Sequence, residues 1–267
     1  MRLIWAFFKR DAMIAMSYRT SFAVQMVGSL LVLGVFYYIG KTIGDQNIPA
    51  LDDYGGSYLA FLLIGIALTD CVGVSLTAFA KQIREGQLTG TLEAVLMSPV
   101  HLPVILLLSS LWGYFFSGIR FVLYLVIGAT IYGVGMEQAD LLSALTIFVM
   151  TVLSFVGIGM LWASVIMLIK RGESIMTVAG YLVILVSGVL FPAAMLPHWL
   201  QQLAAWVPLT HALEGMRFAL LRGYAPSDLT SILMKLGAFA VVLVALGIVA
   251  FDQAVRLAKR TGSLTEY

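Results

Sequence analysis

Six stretches of this chain, most of them about twenty residues or longer, carry almost no charge, and that repetition limits the possible fold more than any other feature. A backbone in hydrocarbon has no water to bond, so its N–H and C=O groups must satisfy one another, and crossing takes roughly 20 apolar residues in an α-helix. The runs lie near 20 to 40, 58 to 80, 104 to 132, 141 to 169, 175 to 191 and 233 to 252. They predict an all-α polytopic membrane protein of six transmembrane helices, built as a single membrane domain over residues 1 to 267. A composition of 61% hydrophobic and 11% charged residues lies well outside the range of soluble domains. The third and fourth runs exceed one bilayer thickness and are expected to tilt, kink or protrude.

Lysine and arginine in the connections set the orientation. An even number of spans puts both termini on one side, with the loops at 81 to 103 and 170 to 174. That side holds eleven basic residues, whereas the other holds four, Lys41, Arg217, Arg222 and Lys235. Both termini are therefore expected in the cytoplasm, with the chain in a cell inner or plasma membrane. The opening MRLIWAFFKRD has too short an apolar run for a cleavable signal, so the N-terminus is expected to remain. Cys71 is the lone cysteine, which excludes an intrachain disulfide. A net charge of +2 gives no reason to expect nucleic acid as a partner.

The loop after the second run reads REGQLTGTLEAVLMSPV, residues 84 to 100. Thr89-Gly90-Thr91 offers helix-capping chemistry, Glu93 suits the positive end of a helix, and Ser98-Pro99 stops it. Leu92, Val95 and Leu96 share a face. A bare two-turn helix is unstable in water, so something must cover that stripe. The cover is either the membrane and neighbouring spans or a groove on a soluble partner.

At the N-terminus, residues 1 to 19 mix Trp5, Phe7 and Phe8 with Lys9 and Arg10. They read as a helix lying along the cytoplasmic interface, or else as an extension of the first span. Residues 192 to 222 are broken by Pro192, Pro197 and Pro208, giving two short helices near 198 to 206 and 209 to 221. Leu200, Leu203 and Trp206 alternate there with polar residues, a pattern fitting a re-entrant hairpin in the outer leaflet.

Asp70 and Arg120 are the ionisable residues deepest in the predicted spans, and charge at such depth costs several kcal/mol unless paired or wetted. Each stands twelve residues from the outer boundary of its span, roughly 18 Å along a helix, so the two can meet. Such a pair either locks two helices together or touches cargo. GVFYYIGKT resembles a phosphate loop only superficially, since five residues separate Gly34 from Gly40 where the pattern requires four. His211 and Glu214 share a helical face without further metal ligands and read as a surface pair. Gly157 and Gly159 read as small residues allowing close helix packing.

The string GQLTGTLEAVLMSPV, with SGVLFPAAMLPHWLQQLAAWVPLTHALEGMRFALLRG downstream, resembles the permease subunit of ABC-2 type exporters. The resemblance covers nearly the whole chain. It implies that Gly90, Thr91, Leu92, Glu93 and Leu96 belong to a coupling helix seated in an ATPase, with the N-terminal helix as a second contact. It implies two ATPase subunits that hold ATP and Mg, so that this chain needs no cofactor and is no enzyme, and a second permease, the same chain or a sister. It also implies that the hairpin, with Phe191, Pro192, Pro197, Trp199 and Pro208, caps the exit side. Asp70 and Arg120 would lie along the transport pathway. The mostly apolar and aromatic spans suit an amphiphilic cargo such as a lipid, a lipid-linked glycan or a hydrophobic drug. The rival reading is a proton-coupled secondary transporter or a polytopic membrane enzyme that uses Asp70 and Arg120.

Overall fold

A computed structural model describes residues 2–17, 19–43, 49–55, 57–88, 90, 102–169 and 173–261. Among them the chain forms α1 (Arg2–Ser17), α2 (Arg19–Ile43), a 3-10 turn (Pro49–Tyr54), α3 (Tyr58–Leu88), α4 (Leu102–Thr130), α5 (Leu141–Ile169), α6 (Glu173–Val186), a second 3-10 turn (Ala193–Met195), α7 (His198–Ala204), α8 (Pro208–Leu221) and α9 (Thr230–Thr261). No strand occurs among the described residues. Five of these helices are long and apolar enough to cross a membrane, α2, α3, α4, α5 and α9.

The fifth apolar run departs from the expected single span. Its helix α6 ends at Val186 after 14 residues, about 21 Å, short of the roughly 30 Å of a hydrocarbon core. Apolar character continues to Leu190, but the Ser187 hydroxyl donates back to the Val183 carbonyl at 2.5 Å and Gly188 takes φ +79°. That left-handed step suits glycine and ends the helix. The freed carbonyls are taken by a side chain from elsewhere, described below.

α5 and α9 form the most extensive helix pair, while α3 packs on both α4 and α5. Close approach depends on glycine. A Cβ on Gly157 would stand 2.5 Å from the Leu243 carbonyl oxygen of α9, and one on Gly247 would stand 2.7 Å from the Gly157 carbonyl oxygen. Gly159 does the same against α3, where its Cβ would meet the Ser75 carbonyl oxygen at 2.5 Å. In hydrocarbon, such backbone proximity is a main source of helix affinity. At the start of α5, Asp140 accepts the Ser143 backbone N–H at 2.6 Å, a cap that holds its carboxyl below the usual carboxylate range.

Apolar side chains gather in two clusters at opposite ends of α3. One joins Ile64, Leu68, Ile147 and Phe155 to Leu209, Leu213 and Met216 of α8. The other joins Phe79 and Ile83 to Met160, Met167, Phe251 and Ala258. α1 lies against α4, with Phe8 edge-on to Trp112 and Phe115 at 5.2 and 5.4 Å and Arg10 donating to the Ser109 hydroxyl at 3.1 Å.

Candidate functional site

The expected coupling helix falls on residues outside those described: Thr91, Leu92, Glu93 and Leu96 all lie there. Gly90 is described, as an exposed turn residue with φ +67°. It follows α3, which stays helical to Leu88, eight residues beyond the expected end of that span.

Asp70 and Arg120 stand in contact, with Arg120 Nε 2.9 Å from Asp70 Oδ2. α3 and α4 pack side by side and bring the two residues to one level, as their equal count of residues from the ends of the two spans permits. The guanidinium side chain is 4% exposed and the carboxylate 25%, so the pair is dry on one side and open on the other. Phe116 adds a ring face 5.2 Å from the guanidinium carbon. Buried hydroxyls surround the pair. Ser75 donates to the Cys71 carbonyl at 3.0 Å, Ser117 lies within reach of the Cys71 thiol, and Tyr114 lies within reach of Ser75 and Ser110. A layer of polar side chains therefore lies around the pair, between the two apolar clusters.

A second buried cation lies at the N-terminal end of α3. Arg217 of α8 is 3% exposed, whereas its place in the sequence predicts a cation of an outer loop. Its Nη1 donates to the Gly188 carbonyl at 3.0 Å, and its Nη2 donates to the Phe61 and Val189 carbonyls at 3.2 Å each. The guanidinium carbon also lies 3.3 Å from the Phe61 ring centroid. Gly65 makes room for this arrangement, since a Cβ there would meet the Val189 carbonyl oxygen at 2.6 Å and Arg217 Nη2 at 3.1 Å. Tyr58 Oη reinforces the joint by donating to the Leu190 carbonyl at 3.0 Å. The fork geometry of arginine explains the residue choice, because one rigid plane offers five donors and can serve several carbonyls at once.

The hairpin follows its expected helices closely. Pro197 precedes α7, and Pro208 opens α8 as its first residue, where its missing N–H costs nothing. Phe191 is half-buried and Pro192 buried, Trp199 is exposed, and Trp206 is 80% exposed. The 3-10 turn closes over α8: Tyr54 stacks on Phe218 at 5.4 Å, and Arg222 donates to the Asp52 and Asp53 carbonyls. Burial pushes the Tyr54 hydroxyl above its ordinary pKa; Glu214 adds to that rise and Arg217 opposes it.

His211 and Glu214 are not a surface pair. His211 is 7% exposed, its Nε2 donates to the Ala205 carbonyl at 3.0 Å, and its ring stacks on Phe239. The apolar residues around it in the sequence carried that signal, since α8 is buried on most of its surface. No cluster of three potential metal ligands occurs among the described residues.

Among curated proteins, none matches the chain. A family model described as "ABC-2 type transporter" matches residues 2–221.

Proposed function

The chain belongs to the ABC-2 type transporter family, a multi-pass membrane protein of transport, and from that membership and the geometry above we propose that it is the permease subunit of an ATP-driven exporter. ATP and Mg are held by two copies of a separate ATPase subunit. The cargo is amphiphilic: a lipid, a lipid-linked glycan or a hydrophobic drug. The protein resides in the inner or plasma membrane with both termini cytoplasmic.

The observation that carries this reading is the continuity of α3. It runs unbroken for 31 residues, about 46 Å, from the Arg217 joint at one end to the loop bearing Gly90, Leu92 and Glu93 at the other. A push on the loop is thus carried as far as the hairpin without crossing a flexible link. ATP can shift the permease only if its two shapes bind the ATPase with different free energy, and a rigid rod converts such a difference into displacement. Asp70 and Arg120 sit midway along the rod, where the polar layer offers cargo headgroups a place to pass.

The short α6 supports six crossings. It starts beside the end of α5 at Ile169 and ends where Arg217 and Tyr58 meet residues 188 to 190, at the opposite end of α3. Helix and unwound segment together cover the membrane depth, and the irregular part is satisfied by Arg217 inside the protein, the condition under which such backbone is tolerated. The hairpin then dips into the outer leaflet with Trp199, Leu203 and Trp206 toward lipid.

Purification of the tagged chain from its native membrane, followed by an assay for MgATP hydrolysis, tests the reading. Hydrolysis is expected to co-elute with a second polypeptide and to fall when Leu92 and Glu93 are changed together to Ala. Hydrolysis by the chain alone would overturn it, as would cargo uptake driven by a proton gradient without an ATPase.

A further inference from the structure

Two buried arginines fasten α3 to its neighbours, and they differ in a way that bears on motion. The Asp70–Arg120 contact joins α3 to α4 through two side chains, and its carboxylate is partly exposed, at 25%, while the guanidinium is 4% exposed. The Arg217 contact joins α3 to α8 and to the end of α6 and is closed on all sides. Its Nε has no hydrogen-bond partner among the described residues, and no carboxylate forms an ion pair with it there. The carbonyls of Phe61, Gly188 and Val189 carry the charge. Opening this joint would leave a buried cation and three backbone carbonyls unsatisfied at once, whereas the Asp70–Arg120 contact is a single side-chain pair with one partly exposed member.

We infer that Arg217 is a positioning residue that welds the exit-side hairpin to α3, so that α3, the end of α6 and α8 move as one body during the transport cycle while the α3–α4 contact at Asp70–Arg120 is the one that slips. The inference rests on the proposed permease function. It adds to that reading that the hairpin does not open on a hinge of its own. The tight seat at Gly65, which leaves no room for even a methyl group between α3 and the Val189 carbonyl, fits a joint that does not slide.

The test uses the full complex with its ATPase in lipid nanodiscs. Spin labels go on exposed Ser57, just before α3, and exposed Trp199 on α7, each as a cysteine substitution, with buried Cys71 changed to Ala. The Ser57 to Trp199 distance distribution is measured by electron spin echo without nucleotide and with vanadate-trapped MgATP. A second label pair, on exposed Ser57 and Ile131 just beyond α4, reports slip between α3 and α4. The expected result is one narrow Ser57 to Trp199 distribution in both states and a Ser57 to Ile131 distance that changes with nucleotide. In Arg217→Lys, which keeps the charge but lacks the fork, the Ser57 to Trp199 distribution broadens and becomes nucleotide-dependent, while ATP hydrolysis per complex stays within about twofold. A weld that loses one charge-assisted hydrogen bond is expected to raise the population of the separated state about tenfold.

A nucleotide-dependent Ser57 to Trp199 distance in the unaltered joint would overturn the inference, and so would an unchanged narrow distribution in both Arg217→Lys and Arg217→Gln. If no ATPase assembles with the otherwise unchanged chain, the permease reading fails instead. If Arg217→Gln does not fold, Arg217→Lys alone decides.

Discussion

Arg120 and Arg217 illustrate two solutions to the same residue-scale problem, a guanidinium removed from water inside a membrane protein. Arg120 meets a carboxylate, so charge cancels charge and the pair is neutral. Arg217 meets carbonyl dipoles and the face of Phe61, so the cation stays a cation and organises backbone. The first solution makes each partner depend on the other. In a cycle of Asp70→Asn, Arg120→Gln and the double variant, the coupling between the sites is expected to be about 1 to 3 kcal/mol, with the double variant more stable than the sum of the single losses requires. Thermal unfolding of the purified protein in detergent measures it, and strictly additive losses would show that the contact carries no energy.

At the scale of elements, the decisive contact is α5 against α9. Two glycines, Gly157 and Gly247, place backbone against backbone there, while Gly159 on α5 does the same against α3. Substitution of Gly157 by Val would push side-chain atoms into the Leu243 and Val244 backbone of α9, neither of which is a flexible side-chain end that can turn away. Overpacking of this kind costs about 1 to 3 kcal/mol or more. Gly180 on α6 provides the control, because a Cβ there meets nothing within 4 Å. Gly157→Val is expected to lower the melting temperature in detergent by several degrees more than Gly180→Val, and equal shifts would count against close α5–α9 packing.

At the scale of the whole molecule, the least satisfied parts are α2 and α6. Val24, Val27, Leu31, Val35 and Tyr38 form one exposed stripe on α2, and Ile175, Val178, Leu182 and Leu185 form another on α6. Lipid can cover an apolar stripe, but α6 is a 14-residue helix whose packing on the other described helices is slight beyond α7 and the contacts of Val183 and Ile184. A second copy of the permease would supply the missing neighbour, the pairing that the resemblance to ABC-2 permeases implies. Cross-linking of Val178→Cys with a short bifunctional maleimide in intact membranes, with Cys71 changed to Ala, is expected to give a species of twice the chain mass. A chain that remained monomeric with cysteines placed along both stripes would remove this interface.

The sequence by itself determined the class of fold, the approximate places of the helices and the level of the Asp70–Arg120 contact. Each follows from a local rule: apolar length against bilayer thickness, proline at helix starts, and equal counts of residues along neighbouring helices. Only the tertiary structure decided that the fifth apolar run breaks at Ser187 and Gly188, that His211 is buried, and that Arg217 turns inward to hold the broken end. An apolar run does not reveal where its helix stops when the carbonyls freed at the break are satisfied by a side chain nearly thirty residues away. That bond depends on packing, and no periodicity along the chain records it.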